Sequence, residues 1–227
     1  MDFDVGHIWG EMNLAVKIIT IVMLSLSVLS FYVIVERMLT FGKANAQSAQ
    51  YVQILAERLR THEVGQALAA AKQMPKSPVA TVMASGLDAF IKGREALEKG
   101  GPSDVGNFDV VDSVNRALDR VKERETSTVR KGLPILATVA SSAPFIGLLG
   151  TVLGILDSFG LIQQGKSIGE LSGKIGEALI STAIGLAVAI IAAIAFNFFT
   201  TKVERMVVDM NDISSEFIDY VLREGRA

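Results

Sequence analysis

Three stretches of this chain carry no charge over a length that can cross a bilayer, and they constrain the fold more than any other feature. Ile18 to Val35 reads IITIVMLSLSVLSFYVIV, and Leu14 to Val16 extend it past Lys17, whose long stem can carry its ammonium to an interface. Leu133 to Leu156 adds 24 uncharged residues. At about 1.5 Å rise per residue that is roughly 36 Å of helix, against a hydrocarbon core of about 30 Å. Ala178 to Thr201 is equally long and is directly preceded by Glu177. The chain is 50% hydrophobic and 20% charged, and the apolar residues concentrate in these runs. That distribution excludes both overall disorder and an ordinary water-soluble core.

Composition removes further classes. With no cysteine there is no disulfide scaffold, thiolate zinc site, iron–sulfur cluster or cysteine nucleophile. A net charge of −2 with Lys and Arg scattered through the polar parts gives no footprint for nucleic acid. The leading segment carries Asp2, Asp4 and Glu11 where a signal peptide would be basic, so span one reads as an uncleaved anchor. Direction follows from the cations. Arg37 and Lys43 follow span one, Arg120, Lys122, Arg124, Arg130 and Lys131 precede span two, and Lys202 and Arg205 follow span three. The positive-inside rule then puts the N-terminus outside and the C-terminus in the cytoplasm.

The expected architecture is an all-α integral membrane protein whose three transmembrane helices extend into a cytoplasmic helical bundle. Residues 1–13 form an outer N-terminus, 14–35 span one, 36–132 a cytoplasmic helical domain, 133–160 span two, 161–174 an outer loop, 175–201 span three and 202–227 a cytoplasmic C-terminal helix. Within the polar part, the composition of Ala44 to Lys72 predicts one helix, interrupted at Pro75 and Pro78. A second runs from about Val79 to Glu98, before Gly100-Gly101-Pro102. Asn107 is the expected N-cap of a third, with Val110, Val111, Val114, Leu118 and Val121 at helical spacing, which continues unbroken into span two. Val203, Met206, Val207, Met210, Ile213, Phe217 and Val221 form a stripe that extends span three by several turns and needs neighbouring helices to cover it.

Few residues carry candidate chemistry. Gly160, Gly165, Lys166 and Ser167 satisfy the phosphate-loop pattern, but they follow a membrane helix and lack the strand, helix and magnesium partner of an α/β domain. His7 and His62 lie in different compartments and build neither a metal site nor a triad. No enzymatic centre is expected. Span two carries Gly147, Gly150 and Gly154 beside Ala140 to Ala143, a small-residue face for close helix packing, with Pro144 loosening the helix. Thr151 follows in its outer half, where its hydroxyl can bond its own backbone. In span three Glu177 and Ser181 share a face continued by Ile184 and Gly185, with Thr182 one step round. A carboxylate at this depth either faces water and protein or caps the helix end.

The pairing of APFIGLLGTVLGI with IGEALISTAIGL, in a three-span chain with a large cytoplasmic loop, resembles the ExbB/TolQ branch of the MotA/TolQ/ExbB proton-channel family. The layout of the whole chain agrees, while the specific motifs occupy Ala143 to Phe159 and Ile175 to Asn197. The resemblance implies a proton-driven motor subunit in the bacterial inner membrane. It also implies a homopentamer, surrounded by lipid, enclosing the single-span helices of an ExbD- or TolR-type dimer, and beyond it a TonB- or TolA-type protein. Carried over by position, Thr151, Glu177 and Thr182 would line the proton pathway, with Ser181 and Asp157 near its pore or mouth. Protons are the coupling ion and no cofactor is implied. Such subunits serve TonB-linked transport, Tol-Pal envelope maintenance or gliding. Two departures stand out: Ser172-Gly173-Lys174 and Ile191 replace the family's Pro-Gly and deeper proline, and Asp157 and Lys174 add charge near the outer mouth. The rival readings are a structural membrane scaffold without ion conduction, and an anchored ATPase that would use the loop at Gly165.

Overall fold

The computed structural model describes residues 13–98, 109–163 and 167–224, and among them every element is a helix. In chain order these are α1 (Leu14–Arg60), α2 (Val64–Lys72), α3 (Pro78–Glu98), α4 (Val110–Arg130), α5 (Leu133–Gln163) and α6 (Ile168–Glu224). Stretches of α1, α5 and α6 are each long and apolar enough to cross a membrane. The chain divides into an apolar unit, residues 1–36 and 132–199, and a polar unit, residues 37–131 and 200–227.

The apolar unit is inside-out by the standards of a water-soluble domain. Its three helices share a narrow core in which Ile19 and Met23 meet Val139, Ala143, Val188, Ala189 and Ala192. Large apolar side chains on the opposite faces are exposed, among them Val28, Phe31, Phe145, Leu156 and Ile194. Left in water, each such side chain forgoes about 1.5–3 kcal/mol of burial, so this surface requires lipid or further apolar protein around it. The hydroxyls obey the same constraint: Thr20, Ser25, Thr138 and Ser158 each donate to the carbonyl four residues earlier on their own helix.

The polar unit has an ordinary core. Tyr51 and Leu55 of α1, Met83, Leu87 and Phe90 of α3, Val114 and Leu118 of α4 and Met210, Phe217 and Val221 of α6 are buried together. The apolar stripe of α6 is thereby covered within the chain. Ser77 starts α3: its Oγ accepts from Ala80 N–H at 3.0 Å, and Pro78 occupies the first helical position, where a missing N–H costs nothing.

Three local expectations are corrected. The segment 44–72 is not one helix, because α1 stops at Arg60 in a Schellman turn: Glu63 N–H bonds Arg58 O, His62 N–H bonds Leu59 O, and His62 takes the left-handed φ of 58°. Arg58 also holds the Glu63 carboxylate through a side-chain hydrogen bond, which keeps that carboxyl below its usual range. The cap of α4 is Asp109, whose carboxylate accepts from Val111 and Asp112 N–H, while Asn107 lies outside the described residues. Finally, α4 does not run into α5. Gly132 takes a left-handed φ of 84°, and a continuous helix would drive the ring of Pro134 into the carbonyl of Arg130. The expected helix stop at Gly100-Gly101-Pro102 and the first twelve residues, His7 among them, lie outside the described residues.

Two glycines of the polar unit predict opposite responses. A Cβ on Gly86 would stand 2.5 Å from Leu118 Cδ2 and 3.2 Å from Phe217 Cε1, both in buried side chains. Gly86→Val is expected to lower unfolding stability by about 1–3 kcal/mol through overpacking. Gly42, inside α1, has nothing within 4 Å of such a Cβ. Gly42→Ala should raise stability by up to about 1 kcal/mol, the helix-propensity difference. Thermal or denaturant unfolding of the two variants checks both signs.

Candidate functional site

The site rests on how closely α5 and α6 approach. A Cβ placed on Gly147 would lie 3.1 Å from Thr182 Cα and from Ser181 O, and one on Gly185 would lie 2.8 Å from Ala143 O. The seam continues toward the C-terminal end of α5, where a Cβ on Gly150 would meet Ser181 Cβ at 2.9 Å and one on Gly154 would meet Ala178 Cβ at 2.6 Å. Any larger residue at these glycines would force the backbones apart. The small-residue spacing therefore acts as contact geometry between two helices of one chain. Pro144 lies within α5, which continues unbroken through it.

This approach joins the two threonines. Thr182 Oγ1 donates to Gly147 O at 2.9 Å across the seam and stands 3.5 Å from Thr151 Oγ1. Thr151 is buried, and its Oγ1 bonds Leu148 O at 2.7 Å on its own helix. Each hydroxyl thus has a backbone carbonyl to take its single proton, and its lone pairs remain as acceptors. Ser181 is 3% exposed, and its Oγ has no hydrogen-bond partner. The small side chain facing Gly150 leaves that hydroxyl at the seam.

The acidic candidates bond elsewhere. Glu177 lies one turn before Ser181, with its Oε2 3.4 Å from Lys174 Nζ. Both side chains are more than four-fifths buried, at 13% and 19% exposure. Asp157 Oδ1 accepts from Asn13 Nδ2 at 2.9 Å, which ties the start of α1 to α5. Neither Asn13 nor the Lys174–Glu177 pair stood out as a functional element in the sequence. The i,i+3 spacing of the second was a usable signal, whereas the first joins residues 144 positions apart.

Elsewhere the described residues offer little chemistry. They contain no group of three potential metal ligands. An open groove of about 470 Å³ in the polar unit is lined by His62, Val64, Phe90, Ile91, Arg94 and Glu95, with no nucleophile beside a base. Of the phosphate-loop pattern, Gly165 and Lys166 lie outside the described residues.

Residues 76–212, which include the whole α5–α6 seam, match the profile of the MotA/TolQ/ExbB proton channel family. The Tol-Pal system protein TolQ of Pseudomonas aeruginosa is 33% identical over 223 residues, covering 94% of this chain and 92% of that protein. Biopolymer transport protein ExbB of Xanthomonas campestris pv. campestris is 42% identical over 117 residues, covering 50% of this chain and 46% of that protein. TolQ of Haemophilus influenzae is 36% identical over 118 residues, covering 51% and 52%. The match with Xanthomonas ExbB thus spans about half of that relative's length, whereas the match with Pseudomonas TolQ is nearly end to end. On the profile match and the near-full-length similarity together, the chain belongs to the MotA/TolQ/ExbB proton channel family.

Proposed function

We propose that this chain is the channel-forming stator subunit of a bacterial inner-membrane motor driven by the proton motive force, with its N-terminus outside and C-terminus in the cytoplasm. Thr151, Thr182 and Glu177 line the proton pathway, with Ser181 and Asp157 toward its mouth. The observation that carries the reading is the paired threonine hydroxyls at the α5–α6 seam, their protons directed to backbone carbonyls. An inert scaffold accounts for the glycines but gives no reason for two hydroxyls and a carboxylate in one region of the bilayer.

The chain needs a partner for this work. Between Leu133 and Leu156, and between Ala178 and Thr201, no side chain can hold a proton near neutral pH. The central carboxylate therefore comes from a second protein. The ExbB and TolQ names of the relatives support an ExbD- or TolR-type dimer enclosed by a pentamer of this chain. Ionised, that carboxylate finds only acceptor lone pairs at Thr151 and Thr182; protonated, it becomes a donor that they can receive. Each protonation thus changes the attraction between partner and ring and lets one move against the other. One proton falling through 100 mV supplies about 2.3 kcal/mol. The work serves TonB-linked transport, Tol-Pal maintenance or gliding, reached through a TonB- or TolA-type protein in the first two.

Thr182→Val keeps the side chain's size and removes its hydroxyl. It is expected to leave five copies assembled with two of the partner by native mass spectrometry. Motor-driven work in cells should fall at least about tenfold, while Thr182→Ser retains it. Undiminished work by the valine variant would refute the role of Thr182. A monomer or dimer that ignores the partner would favour the scaffold.

A further inference from the structure

Lys174 is the feature of the seam that the motor reading leaves unused. Its ammonium lies 3.4 Å from Glu177 Oε2, one helical turn away, and both side chains are largely withdrawn from solvent. The other charged residues of the apolar unit's described helices are Lys17 and Glu36 on α1, Asp157 on α5 and Glu170 on α6. Asp157 is engaged by Asn13, and Glu36 lies near the far end of the apolar part of α1. Directly inward of Glu177, on the same face of α6, stands the buried Ser181 hydroxyl without a hydrogen-bond partner. A carboxylate and a hydroxyl on adjoining turns are the hard oxygen ligands that alkali and alkaline-earth cations take. The lysine ammonium occupies the position beside that carboxylate.

We propose that Lys174 is a tethered counter-cation that excludes metal cations such as sodium from the Glu177 carboxylate. Its consequence for transport rests on the pathway reading above. A sodium ion in contact with the same carboxylate would stand beside a fixed ammonium, and the two like charges repel strongly at a site withdrawn from water. The lysine is a positioning residue that keeps metal cations off the carboxylate.

Sodium binding to the full chain in lipid nanodiscs, followed by line broadening in sodium NMR, tests this without requiring any ion flux. The native chain and Lys174→Arg are expected to show no more broadening than Glu177→Gln. Lys174→Met and Lys174→Gln should bind sodium at least about tenfold more tightly, and adding Glu177→Gln to Lys174→Met should abolish the gain. Overturning results are methionine and glutamine variants as silent as the native chain, a gain that survives Glu177→Gln, or native binding that depends on Glu177. Proton flux through the native complex with its partner is read separately. Its absence would remove the pathway assignment and leave the sodium result to stand or fall by itself.

Discussion

Everything proposed for this chain depends on the distance between two backbones. At Gly147 and Gly185 the helices α5 and α6 come so close that a methyl group at Gly185 has no room and one at Gly147 would press on the facing backbone. In lipid there is no hydrophobic drive between apolar helices, so close packing and interhelical hydrogen bonds must hold such a contact. The bond from Thr182 Oγ1 to Gly147 O is of that kind and is available only because residue 147 has no side chain. One contact therefore fixes the helix pair, places the hydroxyl and turns its lone pairs into acceptors.

The membrane sets the remaining terms. Hydroxyls along α1 and α5 bond back to their own helices, which leaves the outer surfaces apolar. Against that pattern, the Thr182 bond between helices, the Lys174–Glu177 pair and the unpartnered Ser181 hydroxyl lie along one stretch of α6, while the Asn13–Asp157 bond and the unpartnered Ser30 hydroxyl are exceptions elsewhere. Polar groups kept at membrane depth despite their cost are the ones most informative about function. The polar unit follows the opposite rule, with a closed core of aliphatic residues and the Phe90–Phe217–Tyr220 aromatic cluster.

Much of this was legible in the sequence, for identifiable reasons. Charge-free runs report membrane-capable helices because desolvating a charge is so costly, and glycine at four-residue spacing reports close packing because only backbone remains there. What escaped was decided by single residues acting against type. The turn after Arg60 uses a histidine where glycine or asparagine is usual, so nothing marked its left-handed position. The break at Gly132 was marked, by glycine and by Pro134 two residues on, but the helical periodicity on either side concealed it. Asp109 caps α4 although Asn107 is an equally good capping type, and only the register of the first turn separates them. At the site, the stripe of small residues was visible, whereas the partner atom of Thr182 was not, because it is a carbonyl 35 residues away.

The central claim, that this seam is a proton path and not merely a packing surface, is tested most directly by proton flux. The chain is co-reconstituted into liposomes with a neighbouring single-span protein carrying a membrane aspartate, and acid is applied on the outer face. The native complex is expected to conduct, with flux falling at least about tenfold in Glu177→Gln while assembly is retained. A native complex that holds the gradient, or a glutamine variant that conducts as well as the native one, would contradict it.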